Sequence, residues 1–233
     1  MIDIVIPVYN EGKNISVQLD KIGEQIRSDK RVLIVYDFDE DDTLPVVEKL
    51  RPQLPYPLEL VKNNYGRGAL NAIKTGLEEA SAEAVLVMMA DLSDSIEIVD
   101  DMYKLISSDE ADLVCGSRYM KGGKQHGGPK FKGFLSRTAG VTLHFLSGIP
   151  THDVTNSFKL YRKTMLNDIT IESSGGFEIG MEITVKAYRK GYRIREIPSQ
   201  WYDRSEGESN FHLWKWLPNY LHWYFACIFR RKL

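Results

Sequence analysis

The stretch Val85–Val99, with the sequence VLVMMADLSDSIEIV, determines how the rest of the chain is interpreted. Its apolar first part ends at two carboxylates, Asp91 and Asp94, with Ser93 between them. This pattern is typical of a buried strand that delivers oxygen ligands to the carboxyl edge of a sheet. Hard cations such as Mg2+ or Mn2+ prefer oxygen ligands and complete their coordination with water and phosphate oxygens. The same stretch also fits an ordinary loop in which Ser93 or Asp94 caps a helix that begins near Ser95.

The composition limits the class of protein. A chain of 233 residues fits one large domain, or one domain with an appendage, and its net charge of -2 gives no indication of a nucleic-acid partner. The two cysteines, Cys115 and Cys227, have no metal-ligand spacing, which favours a reducing compartment over a disulfide framework. No apolar run reaches the ~18–20 residues of a membrane-spanning helix, and we expect the first residues to form a strand rather than a signal peptide.

Strand and helix patterns alternate through the first half of the chain. Apolar runs predict strands at 2–8, 31–36, 58–61, 84–89 and 112–116, and helical spacing predicts helices at 14–27, 44–50, 69–79 and 96–106. This alternation predicts an α/β fold, Rossmann-like, with right-handed βαβ units around a mostly parallel sheet. Ligands of such sheets bind beyond the carboxyl ends of the strands, so the polar clusters found there favour a ligand site over a helix cap. The clusters are Tyr9–Glu11, Asp37, Asn63–Arg67 and Asp91–Asp94.

The second half is less regular. The patterns predict a Gly- and Lys-rich mobile loop at 119–132, helices at 134–147 and 176–190, strands at 153–162 and 192–198, and a polar loop at 199–210. The tail, 211–233, has the pattern of an amphipathic aromatic helix that ends in Arg230, Arg231 and Lys232. Aromatic rings with a basic end suit a helix in a membrane interface. The alternative is a C-terminal helix packed on the core.

Short motifs occur in a fixed order along most of the chain. They include IVIPVYNE at Ile4–Glu11, VYDFDEDDT at Val35–Thr43, GRGALNAIKTGL at Gly66–Leu77, MMADLSD at Met88–Asp94, GSRY at Gly116–Tyr119, DVTNSFKLYR at Asp153–Arg162, GGFEIGMEITVKAYRKGYRIREIP at Gly175–Pro198 and DRSEGESNF at Asp203–Phe211. Together they resemble the family 2 glycosyltransferases, and more narrowly the polyprenyl-phosphate (dolichol-phosphate) mannosyl- and glucosyltransferases. The resemblance implies a GT-A fold with helices flanking a mostly parallel central sheet. It implies a transferase domain at 1–210, followed by the C-terminal helix at 211–233.

The resemblance also implies roles for individual residues. A GDP- or UDP-hexose donor would contact Pro7, Tyr9, Glu11, Asp37, Arg67, Asp91 and Arg204. A divalent cation, Mg2+ or Mn2+, would be held by Asp91 together with Ser93 or Asp94. Arg118 and Arg137 would bind the phosphate of a polyprenyl-phosphate acceptor. The implied catalytic set is Asp91, Arg118, Arg137 and Asp153.

Three functions remain open at this stage. The first is an inverting transfer of a hexose to polyprenyl phosphate, whose ionised oxygen needs no strong base because the second pKa of a phosphate monoester is ~6. The second is transfer to a sugar hydroxyl in glycan or polysaccharide assembly, for which Asp153 is the candidate base, unless it is a loop or helix-cap residue. The third is a catalytically weak scaffold that binds sugar nucleotides, because Met89-Ala90-Asp91 stands where the family has Asp-x-Asp.

The expected partners follow from the first function. We expect a protein on the cytoplasmic face of a membrane, attached peripherally through the C-terminal helix. A membrane-anchoring subunit or a second copy of the chain is a possible further partner, and no nucleic acid is expected.

Overall fold

The computed structural model describes residues 1–203 and 213–229, and these form an α/β fold around a central sheet. The described strands are β1 (Ile2–Pro7), β2 (Lys30–Tyr36), β3 (Leu58–Lys62), β4 (Ala84–Val87), β5 (Leu113–Ser117), β6 (Lys124–His126), β7 (Lys159–Arg162), β8 (Ile194–Pro198) and β9 (Gln200–Tyr202). The described α-helices are α1 (Ile15–Gln25), α2 (Thr43–Leu50), α3 (Ala69–Glu79), α4 (Val99–Ser107), α5 (Lys130–Ser147), α6 (Lys163–Asn167), α7 (Ile179–Arg189) and α8 (Leu213–Phe229).

The central sheet has the strand order β3-β2-β1-β4-β7-β5-β8. Only β7 runs antiparallel to its neighbours, β4 and β5, while the other pairs in this sheet are parallel. The predicted mostly parallel sheet is therefore confirmed. Because parallel strands end at the same edge, the segments after β1, β2, β4 and β5 all meet there.

Apolar side chains cover both faces of the sheet. The α3, α7 and α8 side of the core includes Val5, Leu33, Val87 and Ile183, and the α1, α2 and α4 side forms a second apolar cluster. The helix α3 lies directly on the sheet, since a side chain at Gly76 would collide with Val5. This close packing fixes the beginning of α3, and with it the Gly-rich turn before the helix, relative to the edge of the sheet.

Helix α8 packs on the domain along one face. Trp223, Ala226 and Cys227 are buried, and the hydroxyl groups of Tyr224 and Thr142 lie 2.9 Å apart, joining α8 to α5. On this face, α8 therefore packs on the core, which is one of the two arrangements that the sequence left open. The opposite face leaves Leu221, Phe225 and Phe229 exposed. Among the described helices, none combines the length and the apolar character needed to cross a membrane.

Three predictions for the second half were wrong in detail. The segment 119–132 contains β6 and the first turn of α5 rather than a loop, and the predicted polar loop contains β9. The two strands pair with each other across about 75 residues, which no local pattern reveals. The predicted strand at 153–162 begins only at Lys159, because side chains such as Asn156, which donates to the carbonyl of Gly116 (2.9 Å), hold the preceding residues in a loop. The predicted boundary at 210 lies outside the described residues.

Candidate active site

A cleft of about 590 Å³ opens at the carboxyl edge of the sheet. It is bordered by the segments that follow β1, β2, β4 and β5, by the loop before α7 and by the first two turns of α8. The lining residues are Pro7, Val8, Tyr9, Glu11, Asp37, Arg67, Gly68, Ala69, Ala72, Met89, Ala90, Asp91, Ser93, Asp94, Arg118, Thr155, Asn156, Ser157, Gly175, Gly176, Phe177, Trp201, Lys215, Trp216 and Tyr220. We call the side with Tyr9 and Arg67 the donor end, and the side with Arg118 and α8 the acceptor end, after the roles that the resemblance implies for these residues.

The acidic loop after β2 supports the turn that carries Tyr9 and Glu11. The backbone amides of residues 10–12 donate in sequence to Asp41 Oδ2 (3.1 Å), Thr43 Oγ1 (2.9 Å) and Asp42 Oδ1 (2.9 Å). These bonds hold a turn in which Asn10 has a φ of 54°, a conformation that asparagine tolerates better than most residues. This part of the acidic loop therefore serves as scaffold for the donor end.

Asp37 connects β2 to the Gly-rich turn before α3. Its Oδ1 accepts from the Asn63 side chain (2.7 Å), and its Oδ2 accepts from the amide of Gly68 (2.8 Å). Gly68 has a φ of 133°, which favours glycine, and the turn that it forms brings Arg67 to the cleft. The predicted donor residues Asp37 and Arg67 are thus joined by one network.

Phe38 is a residue of the donor end that the sequence interpretation missed. The guanidinium of Arg67 lies over its ring, 4.8 Å from the centroid, and the ring of Tyr9 meets it edge-on at 5.5 Å. Phe38 thereby orders two side chains that line the cleft. Its position directly after Asp37 was the available signal, but an aromatic residue inside an acidic run has no distinctive pattern.

The acidic cluster lies in the middle of the cleft. Asp91 Oδ1 accepts from the Ser93 amide (3.2 Å), and Asp94 Oδ2 accepts from the Met89 amide (3.3 Å). The helical segment that follows begins as a short 3-10 turn at Ile96, and no side chain caps it. The interpretation of Ser93 or Asp94 as a cap is therefore wrong. The pKa of Asp94 is raised to about 7, first because its carboxyl is poorly solvated and then because Asp91 repels a second negative charge.

The backbone around this cluster is constrained from two sides. Leu92 has a φ of 62°, in the left-handed region that costs a leucine energy and persists only when neighbouring contacts enforce it. The carbonyl of Ser93 accepts from the Tyr202 amide (3.0 Å), and the Ser95 hydroxyl lies 2.6 Å from the carbonyl of Gln200. Strand β9 therefore holds the acidic loop in place.

The donor set of the cluster suits a hard cation. Asp91, Ser93 and Asp94 offer only oxygen atoms, which are the ligands that Mg2+ and Mn2+ prefer. Within residues 1–203 and 213–229, no group of three or more His, Cys, Asp or Glu residues is placed to hold a metal ion. Met89 lines the cleft at the position where the resemblance implies the first carboxylate of Asp-x-Asp. A cation here would take most of its ligands from water and substrate.

Arg118 dominates the acceptor end. Its Nε and Nη2 atoms donate to Asp153 Oδ2 (2.7 Å) and Oδ1 (2.8 Å), and its amide also donates to Oδ2 (3.0 Å). Asp153 is fully buried. Burial by itself raises the pKa of Asp153, but the charge and hydrogen bonds of Arg118 outweigh burial and lower it. This placement suits a residue that holds Arg118 in position. It does not suit a general base.

Arg137, the other arginine predicted to bind the acceptor phosphate, is not among the lining residues of the cleft. Arg137 is exposed on α5, and its charge acts on Tyr119, whose hydroxyl bonds to Ser136 (2.9 Å). The Ser136 hydroxyl also accepts from Arg118 (3.1 Å), so α5 contacts the acceptor end through the residue before Arg137. A phosphate-binding role for Arg137 stays a prediction. Arg204 lies outside the described residues.

The far wall of the cleft depends on a carboxylate of the turn before α7. Glu178 is fully buried and accepts from the amides of Gly175 (2.8 Å) and Gly176 (2.7 Å), and also from the Asn219 side chain of α8 (3.2 Å). Trp216 covers Gly176, where any larger residue would collide with the indole. The aromatic residues at the beginning of α8 thus form a wall of the cleft. The sequence interpretation missed this role because it associated the aromatic rings of the tail with a membrane interface.

The sequence matches the family model described as Glycosyl transferase family 2 over residues 3–170. It is 28% identical over 213 residues to a dolichol-phosphate mannosyltransferase of Pyrococcus furiosus, a match that covers 89% of this chain and 58% of that protein. It is 25% identical over 210 residues to a polyprenol monophosphomannose synthase of Mycolicibacterium smegmatis, covering 88% of this chain and 79% of that protein. The chain therefore spans little more than half the length of the Pyrococcus relative.

Solved structures share the fold at lower identity. Glucosyl-3-phosphoglycerate synthase from Mycobacterium tuberculosis, in complex with Mn2+, UDP-glucose and phosphoglyceric acid, aligns with a TM-score of 0.71 at 13% identity, covering 98% of this chain and 79% of that one. S. aureus TarS 1–349 in complex with UDP aligns with a TM-score of 0.65 at 19% identity, covering 100% of this chain and 66% of that one. These likenesses confirm the predicted GT-A fold.

Proposed function

The chain belongs to glycosyl transferase family 2, and we propose that it transfers a hexose from a nucleotide sugar to the phosphate of a polyprenyl phosphate, with inversion at the anomeric carbon. The names of the two curated relatives refer to dolichol phosphate and to a polyprenol monophosphomannose, and this favours a lipid phosphate as the acceptor. The chain covers only 58% of the Pyrococcus relative, so the activity of that whole protein is a proposal for this chain.

The main support is one cleft with three chemically distinct parts. The donor end offers Tyr9, Glu11 and Asp37 to a nucleoside, the middle offers the carboxylates of Asp91 and Asp94, and the acceptor end offers Arg118. A nucleotide sugar needs this sequence of groups, because its base, its charged diphosphate and its sugar lie in a row. A planar guanidinium at the sugar end suits the phosphate of the incoming acceptor.

We propose that Asp91 and Asp94, with the Ser93 hydroxyl, hold a divalent cation, Mg2+ or Mn2+. Two carboxylates and a hydroxyl leave room for diphosphate oxygens, which is how Mg2+ is usually held together with phosphate substrates. When bound, the cation would stabilise the negative charge that grows on the nucleoside diphosphate leaving group. A structural neighbour from M. tuberculosis was determined in complex with Mn2+ and UDP-glucose, which supports a divalent cation as cofactor.

The nature of the acceptor decides whether a base is needed. The phosphate of a lipid monoester is mostly ionised at neutral pH, so its oxygen attacks the anomeric carbon without losing a proton to the protein. A sugar hydroxyl would require a general base. Asp153 does not suit that task, since it is buried and both its oxygens accept hydrogen bonds from Arg118. Its placement favours the phosphate acceptor.

Two neighbouring helices suit attachment to a membrane surface. Helix α8 exposes Leu221, Phe225 and Phe229 at helical spacing, and α5 beside it exposes an apolar stripe of its own. The exposed large apolar residues of α5 are Phe131, Phe134, Phe145 and Leu146. Such a concentration of exposed rings is unusual for a surface that faces only water. We propose that this face meets the cytoplasmic surface of a membrane, where the polyprenyl chain of the acceptor lies.

A transfer assay tests the proposed function. The full chain is incubated with Mg2+ or Mn2+, a panel of GDP- and UDP-hexoses, and one of three acceptors: a short polyprenyl phosphate, the matching polyprenol, or a soluble oligosaccharide. We expect a glycolipid only with the phosphate, and loss of product when the cation is chelated. NMR should show that the anomeric configuration is inverted.

The same assay separates the other two functions. Product with the oligosaccharide alone would favour transfer to a sugar hydroxyl. Binding of nucleotide without product from any acceptor would favour the scaffold function and contradict the proposal.

A further inference from the structure

Lys215 is a lining residue of the cleft for which the sequence motifs predict no role. It lies in the first turn of α8 and is exposed at the acceptor end of the cleft. Other lining residues at this end are Arg118, Gly176 and Trp216. Since the proposed reaction brings an anionic acceptor to this end, an ammonium group here requires an explanation.

Among the described residues, the cations that line the cleft differ in their partners. The guanidinium of Arg118 forms a bidentate ion pair with Asp153, so much of its charge is already compensated. Arg67 stacks on Phe38 at the donor end. Lys215 forms no ion pair with any carboxylate within residues 1–203 and 213–229. Of the described lining, Lys215 therefore offers an ammonium group to an acceptor phosphate beside the paired Arg118.

Packing does not account for Lys215, because its side chain is exposed.

Several contacts fix α8 relative to the floor of the cleft. Asn219 donates to Glu178 (3.2 Å), the ring of Trp216 meets Phe177 edge-on at 5.5 Å, and the indole of Trp223 donates to the Ser173 hydroxyl (3.1 Å). The register of the helix is therefore set, and Lys215 faces the cleft in a defined position.

We propose that Lys215 binds the phosphate of the lipid acceptor, beside Arg118, and so determines affinity for a phosphorylated lipid over its alcohol. This inference rests on the proposed function. The acceptor phosphate is favoured over the donor diphosphate because α8 also carries the exposed residues Leu221, Phe225 and Phe229. At 1.5 Å and 100° per residue, Phe229 lies about 21 Å along the helix from Lys215 and about 40° around it, so the exposed apolar end of α8 is on nearly the same side as the lysine.

The test compares kinetic constants of the full-length wild type with those of Lys215→Met and Lys215→Arg. We expect Lys215→Met to raise the KM for a short polyprenyl phosphate about tenfold, since one charge-assisted hydrogen bond to phosphate is lost. The KM for the nucleotide sugar should stay within about twofold. Lys215→Arg keeps the charge and should restore most of the affinity. Lys49→Met, an exposed lysine on α2, is the matched control and should leave both constants unchanged.

A binding measurement separates the phosphate from the lipid chain. Inhibition by farnesyl phosphate should weaken about tenfold in Lys215→Met, while inhibition by farnesol should not change. An unchanged acceptor KM, a rise in the donor KM instead, or equal damage from Lys215→Arg and Lys215→Met would each overturn the inference. Absence of glycolipid from the wild-type protein would instead contradict the proposed function, so the two failures are distinguishable.

Discussion

The two ends of the cleft are held in place by different means. At the donor end, the site residues lie on turns that directly follow parallel strands, and the strands themselves set their positions. At the acceptor end, the supporting loops depend on charged side chains with no exposed surface. Among the described residues these are Asp153, Lys159, Glu178 and Glu182. In the first half, Asp3 also has no exposed surface, but it lies near the start of β1 at the opposite edge of the sheet, far from the cleft. Asp41, which is 1% exposed, supports the donor end by accepting from the amide of Asn10.

The difference shows what each end requires from the chain. Lys159 illustrates the acceptor end, because its ammonium donates to the carbonyls of Val154 (3.0 Å) and Asn156 and so holds a loop that lines the cleft. Burial lowers the pKa of Lys159. A buried charge is stable only while its partners are present, so loss of one partner is costly. The acceptor end should therefore be more sensitive than the donor end to single substitutions.

The largest effect is expected where the two ends meet, at Asp91. Asp91→Asn removes one of the two carboxylates proposed to hold the cation, and kcat should fall at least about 10³-fold. Melting temperature should not fall, because a buried negative charge is removed beside Asp94. Asp39→Asn, an exposed carboxylate that pairs with Lys62 in the acidic loop, is the control and should retain activity. Initial rates at saturating cation measure the effect. Near-normal rates in Asp91→Asn would show that the metal assignment is wrong.

The next effect concerns Asp153, the buried partner of Arg118. Asp153→Asn leaves the guanidinium, which is only 12% exposed, without a compensating charge, so the free energy of unfolding should fall by about 3 kcal/mol. The acceptor KM should also rise, because Arg118 loses its orientation. Chemical denaturation and steady-state kinetics measure the two changes. The exposed pair of Asp109 with Arg193 is the control, and Asp109→Asn should leave the melting temperature essentially unchanged. Full stability in Asp153→Asn would contradict the buried-charge account of the acceptor end.

The same contrast explains how far the sequence could predict the structure. Helix α3 was predicted at 69–79 and is observed there, because its beginning is marked by glycines and its apolar spacing is regular. The donor residues were predicted because strand ends are local signals that a parallel sheet brings together. In contrast, the β6–β9 pair and the contacts of α8 with Glu178 and Trp216 join residues that are distant in the chain. Local patterns carry no information about such contacts.

Asp153 shows why the sequence alone could not assign the role of a single residue. The sequence left it between a general base and a loop or cap residue, since an aspartate before a strand fits either role. Its partner, Arg118, lies 35 residues earlier, and the bidentate pair depends on how the two loops meet in space. Lys215 is a similar case, because a lysine in an aromatic helix has no pattern of its own.

The third effect concerns Asp3, which can be compared with Asp153. Asp3 is also a buried carboxylate that forms a bidentate pair with an arginine, Arg31, but it lies far from the cleft. It accepts from the amides of Ser81 (2.6 Å) and Ala82 (2.8 Å) as well. Asp3→Asn should lower the free energy of unfolding by about 2 kcal/mol, since hydrogen bonds to a charged group are lost. It should leave kcat and both KM values unchanged, unlike Asp153→Asn.

The stabilisation by Asp3 should depend on pH in a defined direction. Burial raises the pKa of Asp3, but the hydrogen bonds from Arg31 and the two amides outweigh burial and lower it. Because the pKa of Asp3 is lowered in the folded chain, its contribution to the free energy of unfolding is complete above the pKa of the unfolded chain, ~3.9. The contribution is lost as the pH falls through the pKa of the folded chain. The difference in unfolding free energy between wild type and Asp3→Asn should therefore be constant from about pH 5 to 8 and shrink below about pH 4. A difference that persists unchanged into the acid range would contradict this.

The smallest effect is expected for Phe38, at the donor end, where ring contacts add to the hydrogen bonds that the acidic loop accepts. Phe38→Ala removes the surface on which Arg67 and Tyr9 rest, at 4.8 Å and 5.5 Å from its centroid. Without the ring, Arg67 and Tyr9 must be ordered when the nucleotide binds, and this ordering costs binding free energy. The donor KM should therefore rise about fivefold, which corresponds to about 1 kcal/mol. Phe38→Tyr keeps the ring and should behave as wild type, while kcat and the acceptor KM stay constant in both variants. Because the parallel strands fix the backbone, stability should hardly change, and a large loss of stability would mean that the donor end depends on its side chains as strongly as the acceptor end does.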